Sequence, residues 1–404
     1  MLTIQQLFQD HFESFEQRHG LSRDMRWAAS CLRDCRTPAL GSHRIYCPHG
    51  HESRLAYNSC RHRVCPKCST VSRELWLDGW RSRLLNCPHF HVVFTTPPDL
   101  LPWWRYNRRR FADALFAAAS GALMKLLGDE KYLGARPGLL AALHTWSQSL
   151  AAHVHLHVLV TAGGYAPTAG VARWHPAKKD CLLPRKVLMM VFRGRLRAEL
   201  LAALQRGELT VPPDTSAARL RGLLNRLGRS IWNVKILERY EHGVGVATYL
   251  ARYLKGGPIS NRRLLKFQRD GVRFRCRARS DDTRDGPRGN ARTTRTTHLA
   301  TDEFLLRLLQ HVPPRGMRVV RGYGLYAGGQ RALLNEARQL LGQVALPAAP
   351  PKSPSWQSLC ERAGGSGWGR CQTCGTTLLV DYQDASSRAP PGCSRGKTDR
   401  LLSC

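Results

Sequence analysis

Three histidines alternate with apolar residues in His153-Val-His-Leu-His-Val-Leu-Val160. In an extended strand successive side chains point to opposite faces, so His153, His155 and His157 share one face. Val154, Leu156, Val158 and Val160 share the other, which can lie on a core. The histidine face presents imidazoles about 7 Å apart along the chain, twice the strand rise per residue. Two neutral ring nitrogens so placed can hold one divalent metal ion. Gly163-Gly164 follows at once and ends the strand. A half-exposed strand that merely carries histidines is the alternative, but alternation over an apolar back favours a metal site.

A second group with chemical potential is the helical stretch Val246-Ala-Thr-Tyr-Leu-Ala-Arg-Tyr-Leu-Lys255, stopped by Gly256-Gly257-Pro258. Tyr249 and Tyr253 are four apart, so both phenols lie on one helix face, one turn apart. Aromatic packing would use the same spacing. A phenol has a free pKa near 10, so it attacks phosphorus only when the centre is polarised and its proton has somewhere to go. A histidine-held cation supplies that polarisation by Lewis-acid action. Together the two groups make a phosphoryl-transfer mechanism that neither makes alone.

The third group is Cys47-Pro-His-Gly-His51 followed by Cys60-Arg-His-Arg-Val-Cys65-Pro-Lys-Cys68. Thiolate and imidazole ligands at such spacings suit tetrahedral zinc. The expected set is Cys47 and His51 with Cys65 and Cys68; Cys60 is a fifth contender, and His49 can replace His51. A redox Cys-x-x-Cys would sit after a strand in a thioredoxin-like pattern, which is absent here. A filled four-ligand site leaves no place for water, so the zinc is expected to be structural. Arg54, Arg61, Arg63 and Lys67 surround it and could meet phosphates.

The elements that position these groups are read from periodicity and punctuation. Helices are expected over Ile4 to Arg18, where Leu7, Phe8, Phe12 and Phe15 recur, and over Met25 to Cys35. His89 to Thr96 reads as a strand stopped by Pro97-Pro98. Helices are expected over Phe111 to about Leu127 and over Leu139 to Leu150, the latter containing Trp146 and Gln148, and again after Pro184. Ile231 to Leu237 is a further candidate strand. Trp103 and Trp104 beside Arg108, Arg109 and Arg110 mix stacking surfaces with charge, as single-strand binders do. Arg262, Arg263, Lys266, Arg273 and Arg275 form a second basic tract, and the strand from Val272 should carry an arginine face.

The chain has 404 residues, enough for two or three domains, with 43% apolar residues to build cores. Its 62 Lys and Arg against 29 Asp and Glu give a net charge of +33, which implies a polyanionic partner, nucleic acid before an anionic membrane. No uncharged apolar run reaches spanning length; Asp113 and Lys125 bracket the best candidate. The amino terminus lacks a basic, cleavable leader, so 14 cysteines read as ligands and free thiols of an intracellular protein.

From Ala345 prolines and glycines mark a linker. Cys371-Gln-Thr-Cys374-Gly is half a zinc ribbon that Cys360, Cys393 or Cys404 could complete, and Ser386 to Arg400 reads as disordered. The expected division is 1–88 for a small helical zinc-binding domain, 89–330 for a central domain that carries the histidine strand and the tyrosine pair, and 331–404 for a linker and basic cysteine-containing tail.

The histidine strand with its Gly-Gly, and Tyr249-Leu-Ala-Arg-Tyr253 followed by Pro258-Ile-Ser-Asn-Arg-Arg-Leu264, resemble the transposases of the IS91 group, two-tyrosine members of the HUH endonucleases. Tyr57-Asn-Ser-Cys-Arg-His-Arg-Val-Cys-Pro-Lys-Cys68 resembles that family's zinc-binding domain. His91-Val-Val-Phe-Thr-Thr-Pro97, Leu143-His-Thr-Trp-Ser-Gln148 and Asp302-Glu-Phe-Leu-Leu-Arg-Leu-Leu-Gln-His-Val312 extend the likeness, in the family's order, from roughly residue 10 to 330. Many relatives carry a second Cys-x-x-Cys where Gly50 stands here, so His51 enters as a substitute ligand. Many also carry Cys where Val158 stands.

The resemblance implies an α+β fold: a palm-like HUH domain, an antiparallel sheet flanked by helices, behind the zinc module. It implies that His155 and His157 hold Mg²⁺ or Mn²⁺ and that Tyr249 and Tyr253 are the nucleophiles, with His153 in support. A third metal ligand is expected, and Gln148 and His91 are the candidates. The implied activity is nicking and rejoining of single-stranded DNA at transposon ends and target through a 5′-phosphotyrosine, as in rolling-circle-like transposition, in a bacterial cytoplasm at the nucleoid. A zinc-containing DNA-binding protein without activity, or a related replication initiator or relaxase, is the alternative.

Overall fold

Residues 138–161 form two adjacent strands at the centre of the molecule, and the rest of the architecture follows from how their two faces are covered. A computed structural model of the chain describes residues 2–168, 170–177, 182–241, 245, 257–268, 270–277, 294–347, 358 and 369–384. The helix expected at 246–255, with Tyr249 and Tyr253, lies outside the described residues, as do Cys360, Cys393 and Cys404.

The central sheet has five strands, β3 (His89–Thr95), β4 (Gly138–Trp146), β5 (Ala152–Thr161), β8 (Val234–Tyr240) and β12 (Val320–Gly324). Their order is β12-β4-β5-β3-β8, every neighbouring pair antiparallel. Phe90, Val92 and Phe94 of β3, Leu139, Ala141 and Leu143 of β4, and Val154, Leu156, Val158 and Val160 of β5 make one apolar face. It packs on helices α5 (Arg108–Gly128) and α6 (Arg185–Gln205) through residues such as Leu115, Leu123, Phe192 and Leu196. Phe94 and Phe192 meet with ring centroids 4.7 Å apart. Each such fully buried side chain contributes about 1.5–3 kcal/mol of transfer free energy, so this face sets the register of the histidines opposite. Helix α5 is long and apolar enough to cross a membrane, but its apolar side chains are buried on the sheet.

The other face of the sheet is divided. Leu140, Ala142 and Leu159 are covered by Leu77 of α3 (Ser69–Arg81), Leu334 of α9 (Arg331–Leu340) and Tyr326 from the segment before α9. The half left over carries the histidines. Coverage of both faces explains why the segment expected as a helix from Leu139 to Leu150 is instead β4. Buried on both sides, it reads as a continuous apolar run, and periodicity cannot tell such a strand from a helix.

The amino-terminal module begins with α1 (Ile4–Arg18) and α2 (Arg23–Asp34). Thr3 and Gln6 form a reciprocal capping box on α1, and the Ser22 hydroxyl caps α2 by accepting from Met25 N–H. The module is not purely helical. A hairpin of β1 (Ser42–Tyr46) and β2 (Ser53–Tyr57) follows, and β13 (Leu379–Asp384), from the far end of the chain, pairs with β1 to complete a three-stranded sheet.

A third sheet, β9 (Leu264–Gln268), β10 (Gly271–Arg277) and β11 (Thr294–Leu299), buries Leu264, Val272 and Phe274 against α8 (Thr301–Leu309) and against Phe8, Phe15 and Leu32 of α1 and α2. The first helices therefore share a core with residues beyond 260. Of the shorter elements, β6 (Gly163–Thr168) and β7 (Val171–Pro176) make a hairpin, and α4 (Leu101–Tyr106) and α7 (Ala217–Leu227) flank α5 and α6. The strand expected from Ile231 starts at Val234, where pairing with β3 begins.

Candidate metal centres and nucleic-acid face

The register of β4 on β5 places His144 directly opposite His155 and Ala142 opposite His157. Directly paired residues point to the same face, so His144 joins the two histidines of the alternating strand. One ring nitrogen from each of His144, His155 and His157 lies within 4.8 Å of the others. The rings of His144 and His157 are 4.3 Å apart, and those of His155 and His157 4.9 Å.

Two outer contacts orient the cluster. His155 Nδ1 lies 2.8 Å from the carbonyl oxygen of His153. A carbonyl only accepts, so Nδ1 carries the proton and Nε2 keeps the lone pair. His157 Nδ1 lies 2.8 Å from His91 Nε2. Burial, then the neighbouring imidazoles, holds His144 and His157 well below the ordinary histidine value. Burial alone brings His91 down to about 4. All three are neutral at physiological pH, the state that ligates metal.

The third position of the cluster is therefore His144, and neither residue expected there occupies it. His91 stands behind His157 as its hydrogen-bond partner. Gln148 lies in the turn after β4, where its main-chain oxygen accepts from the Arg263 guanidinium. Sequence alone hides His144, because an apolar run such as residues 139–143 fits a helix as well as a strand; its pairing with His155 is what reveals it. Support from His153 comes through its main-chain oxygen. Its side chain borders an open cleft of about 570 Å³ that Thr95, Thr96, Ser230 and Asn233 also line.

The cysteines form two groups, not the single set expected. Cys35, at the end of α2, joins Cys60, Cys65 and Cys68. Sulfur separations are 3.3 Å for Cys35–Cys68, 3.6 Å for Cys65–Cys35 and 3.7 Å for Cys60–Cys68. Sulfurs at the corners of a tetrahedral zinc site stand about 3.8 Å apart, from Zn–S bonds of about 2.3 Å. Donation from Cys35, Cys60 and Cys65 holds the Cys68 thiol well below its ordinary value. Cys47 and His51 leave this group and face Cys371 and Cys374. Helix α2 carries Cys35 to the cluster through the core, a placement that ligand spacing in sequence does not show.

The basic residues divide by exposure. Lys266, Arg273 and Arg275 are exposed on the outer face of the β9-β10-β11 sheet, with Arg273 opposite Lys266 and His298, and Arg262 is exposed just before β9. The rest are engaged inside the chain. Arg108 donates to Val312 O at 3.0 Å and Arg109 to Arg315 O at 2.8 Å. Arg110 pairs with Glu208, which Arg206 and Arg110 pull down to about 2. Arg263 donates to Arg275 O at 2.7 Å and lies over the Phe274 ring.

A cysteine-rich module ahead of an antiparallel sheet with a tri-histidine cluster and a basic outer sheet defines an α+β protein built to act on nucleic acid. Residues 138–333 match the family model described as "Putative transposase", and residues 7–96 match the transposase zinc-binding domain. The chain is 32% identical over 399 residues to a protein of Sinorhizobium fredii named "Putative transposase y4qJ", covering 96% of this chain and 97% of that one. It is also 32% identical over 305 residues to the transposase for insertion sequence element IS801 of Pseudomonas savastanoi pv. phaseolicola, covering 72% of this chain and 68% of that one. No solved structure matches it. The chain belongs to the IS91-group transposases and carries their amino-terminal zinc-binding domain.

Proposed function

We propose that this transposase nicks and rejoins single-stranded transposon-end and target DNA through a 5′-phosphotyrosine, on a palm-like HUH domain, in rolling-circle-like transposition. The observation that carries the reading is the meeting of His144, His155 and His157 on the half of the sheet face that α3 and α9 do not cover. Three imidazoles on one face fit a divalent cation, and nitrogen donors suit Mn²⁺ better than Mg²⁺, which prefers oxygen. When bound, the cation supplies Lewis acidity to a phosphate oxygen. His144, His155 and His157 hold it, and the His153 carbonyl and His91 keep two of the rings in place.

The phenol of Tyr249 or Tyr253 gives up its proton as its oxygen attacks phosphorus, the P–O3′ bond breaks, and the 3′-oxygen takes up a proton and leaves as a hydroxyl. Joining is the reverse step, with a 3′-hydroxyl displacing tyrosine. Two tyrosines let one strand stay attached while a second is cut or joined. The exposed face formed by Lys266, Arg273 and Arg275 runs along the DNA backbone, with Arg262 beside it. Cys35, Cys60, Cys65 and Cys68 hold the zinc of the amino-terminal module, a closed four-thiolate site with a structural role. The protein works in the bacterial cytoplasm, on nucleoid DNA.

The test is a labelled single-stranded oligonucleotide carrying the transposon end, incubated with protein and Mn²⁺ or Mg²⁺. A denaturation-resistant protein–DNA adduct is expected, lost in Tyr249→Phe/Tyr253→Phe and in His155→Ala. Absence of an adduct on the true end sequence, or its persistence in the double tyrosine variant, overturns the mechanism. DNA binding without any adduct would point to the inactive DNA-binding reading.

A further inference from the structure

The two ends of the described chain meet in a pair of matching turns. In the first, Cys47 N–H donates to Glu52 O at 2.8 Å and Gly50 N–H donates to Cys47 O at 2.9 Å. In the second, Cys371 N–H donates to Thr376 O at 2.8 Å and Gly375 N–H donates to Cys371 O at 2.9 Å. Each turn places a glycine in the left-handed region, Gly50 at φ +78° and Gly375 at φ +70°. Both are tight cysteine-bearing knuckles of the kind that wrap a metal, and they stand at the same end of one sheet. Cys47 directly follows β1, the second knuckle precedes β13, and Tyr46 is paired with Leu379. Gln372 N–H donates to the Glu52 carboxylate at 3.1 Å, tying one knuckle to the other.

The donor atoms converge where the knuckles face. Cys47 Sγ lies 3.6 Å from Cys374 Sγ and 3.6 Å from His51 Nδ1. The edges of a tetrahedral Cys₃His zinc site are about 3.8 Å for sulfur–sulfur and about 3.6 Å for sulfur–nitrogen. A disulfide would bring the sulfurs to about 2.05 Å, so the separation is that of two ligands and not of a bond. Cys47, Cys371, Leu378 and Ile45 form a small apolar cluster of their own, which shields the thiolates on one side.

We propose that Cys47, His51, Cys371 and Cys374 hold a second zinc ion, separate from the Cys35–Cys60–Cys65–Cys68 site, which clips the carboxyl-terminal ribbon to the amino-terminal module. The ion closes a loop of 327 residues between Cys47 and Cys374. The tail is thereby part of the zinc-binding domain. His51 stands as the nitrogen donor of a set otherwise made of sulfur, and the knuckle that lacks a second cysteine is completed by the histidine.

Cobalt titration of the full-length, metal-free protein tests this, because only sulfur-ligated Co²⁺ gives thiolate-to-metal charge-transfer absorbance and a site built from histidines alone is silent. Wild type is expected to saturate that absorbance at two equivalents, and Cys371→Ser/Cys374→Ser at one. Cys60→Ser/Cys65→Ser should also saturate at one, with the d–d bands of a three-sulfur, one-nitrogen site. His51→Cys should keep two equivalents while its visible bands move toward those of a four-sulfur site. This last variant keeps the ligand count, so it reports on ligation without removing a ligand on which folding depends. Saturation of wild type at one equivalent, retention of two by Cys371→Ser/Cys374→Ser, or unchanged bands in His51→Cys overturns the proposal.

Discussion

His91 Nε2 stands 2.8 Å from His157 Nδ1, behind the ring that faces the cluster. Outer-shell partners of this kind fix the tautomer of a ligating imidazole, and their loss typically costs about 10–100-fold in metal affinity. His91→Phe should therefore weaken Mn²⁺ binding by about that factor while leaving the fold intact. Calorimetric titration of Mn²⁺ checks it; unchanged affinity would remove His91 from the site.

The third ligand can be settled by comparing two single variants. His144→Ala should weaken Mn²⁺ binding by more than the about 10–100-fold expected of an outer-shell change. Gln148→Ala should leave binding unchanged, because the structure engages that residue through its main-chain oxygen. The reverse ranking would return the role to Gln148.

Choice of metal is a third consequence of the all-nitrogen donor set. Adduct formation should reach half its maximum at a lower Mn²⁺ than Mg²⁺ concentration. Equal or lower demand for Mg²⁺ would mean that oxygen ligands outside the described residues dominate the site.

The basic sheet predicts how DNA affinity depends on salt. Each single-strand phosphate contact contributes about 0.7 to the slope of log K against log salt, so Arg273→Ala/Arg275→Ala should make it shallower by about 1.4. Arg110→Ala should leave the slope alone, since that guanidinium is paired with Glu208. Fluorescence anisotropy across a salt series reads both.

Stability should fall in mild acid. Burial brings His89 and His311 down to about 4 in the folded protein. Between the unfolded value of about 6.5 and that folded value, the unfolded chain takes up protons that the folded chain refuses. Their contribution is therefore complete above about pH 6.5 and is lost as pH falls toward about 4, with a slope of up to about 1.4 kcal/mol per pH unit for each histidine. Denaturant midpoints across that window should decline; a flat profile would contradict the assignment. Tyr326→Phe should in addition cost about 1–3 kcal/mol, since the hydroxyl bonds His89 Nε2 at 2.8 Å and accepts from Leu85 N–H at 3.1 Å.

The two-residue period of the histidine strand was enough to place His155 and His157 on one face and Val154, Leu156 and Val158 in the core, because a pleated strand leaves no other arrangement. Cysteine spacing likewise identified ligand-bearing turns, since a knuckle is a local structure. What local pattern could not supply was the partner of each turn. Cys35 reaches Cys60, Cys65 and Cys68 by way of α2, and Cys47 and His51 meet Cys371 and Cys374 only because β13 pairs with β1. His144 was hidden for a related reason: a strand buried on both faces loses the alternation that would reveal it, and only its register against His155 shows where its ring points. Sequence determined which side chains can bind metal and, on the alternating strand, which face they present; pairing between distant strands, set by burial of both faces and by ladder hydrogen bonds, decided which of them share a site.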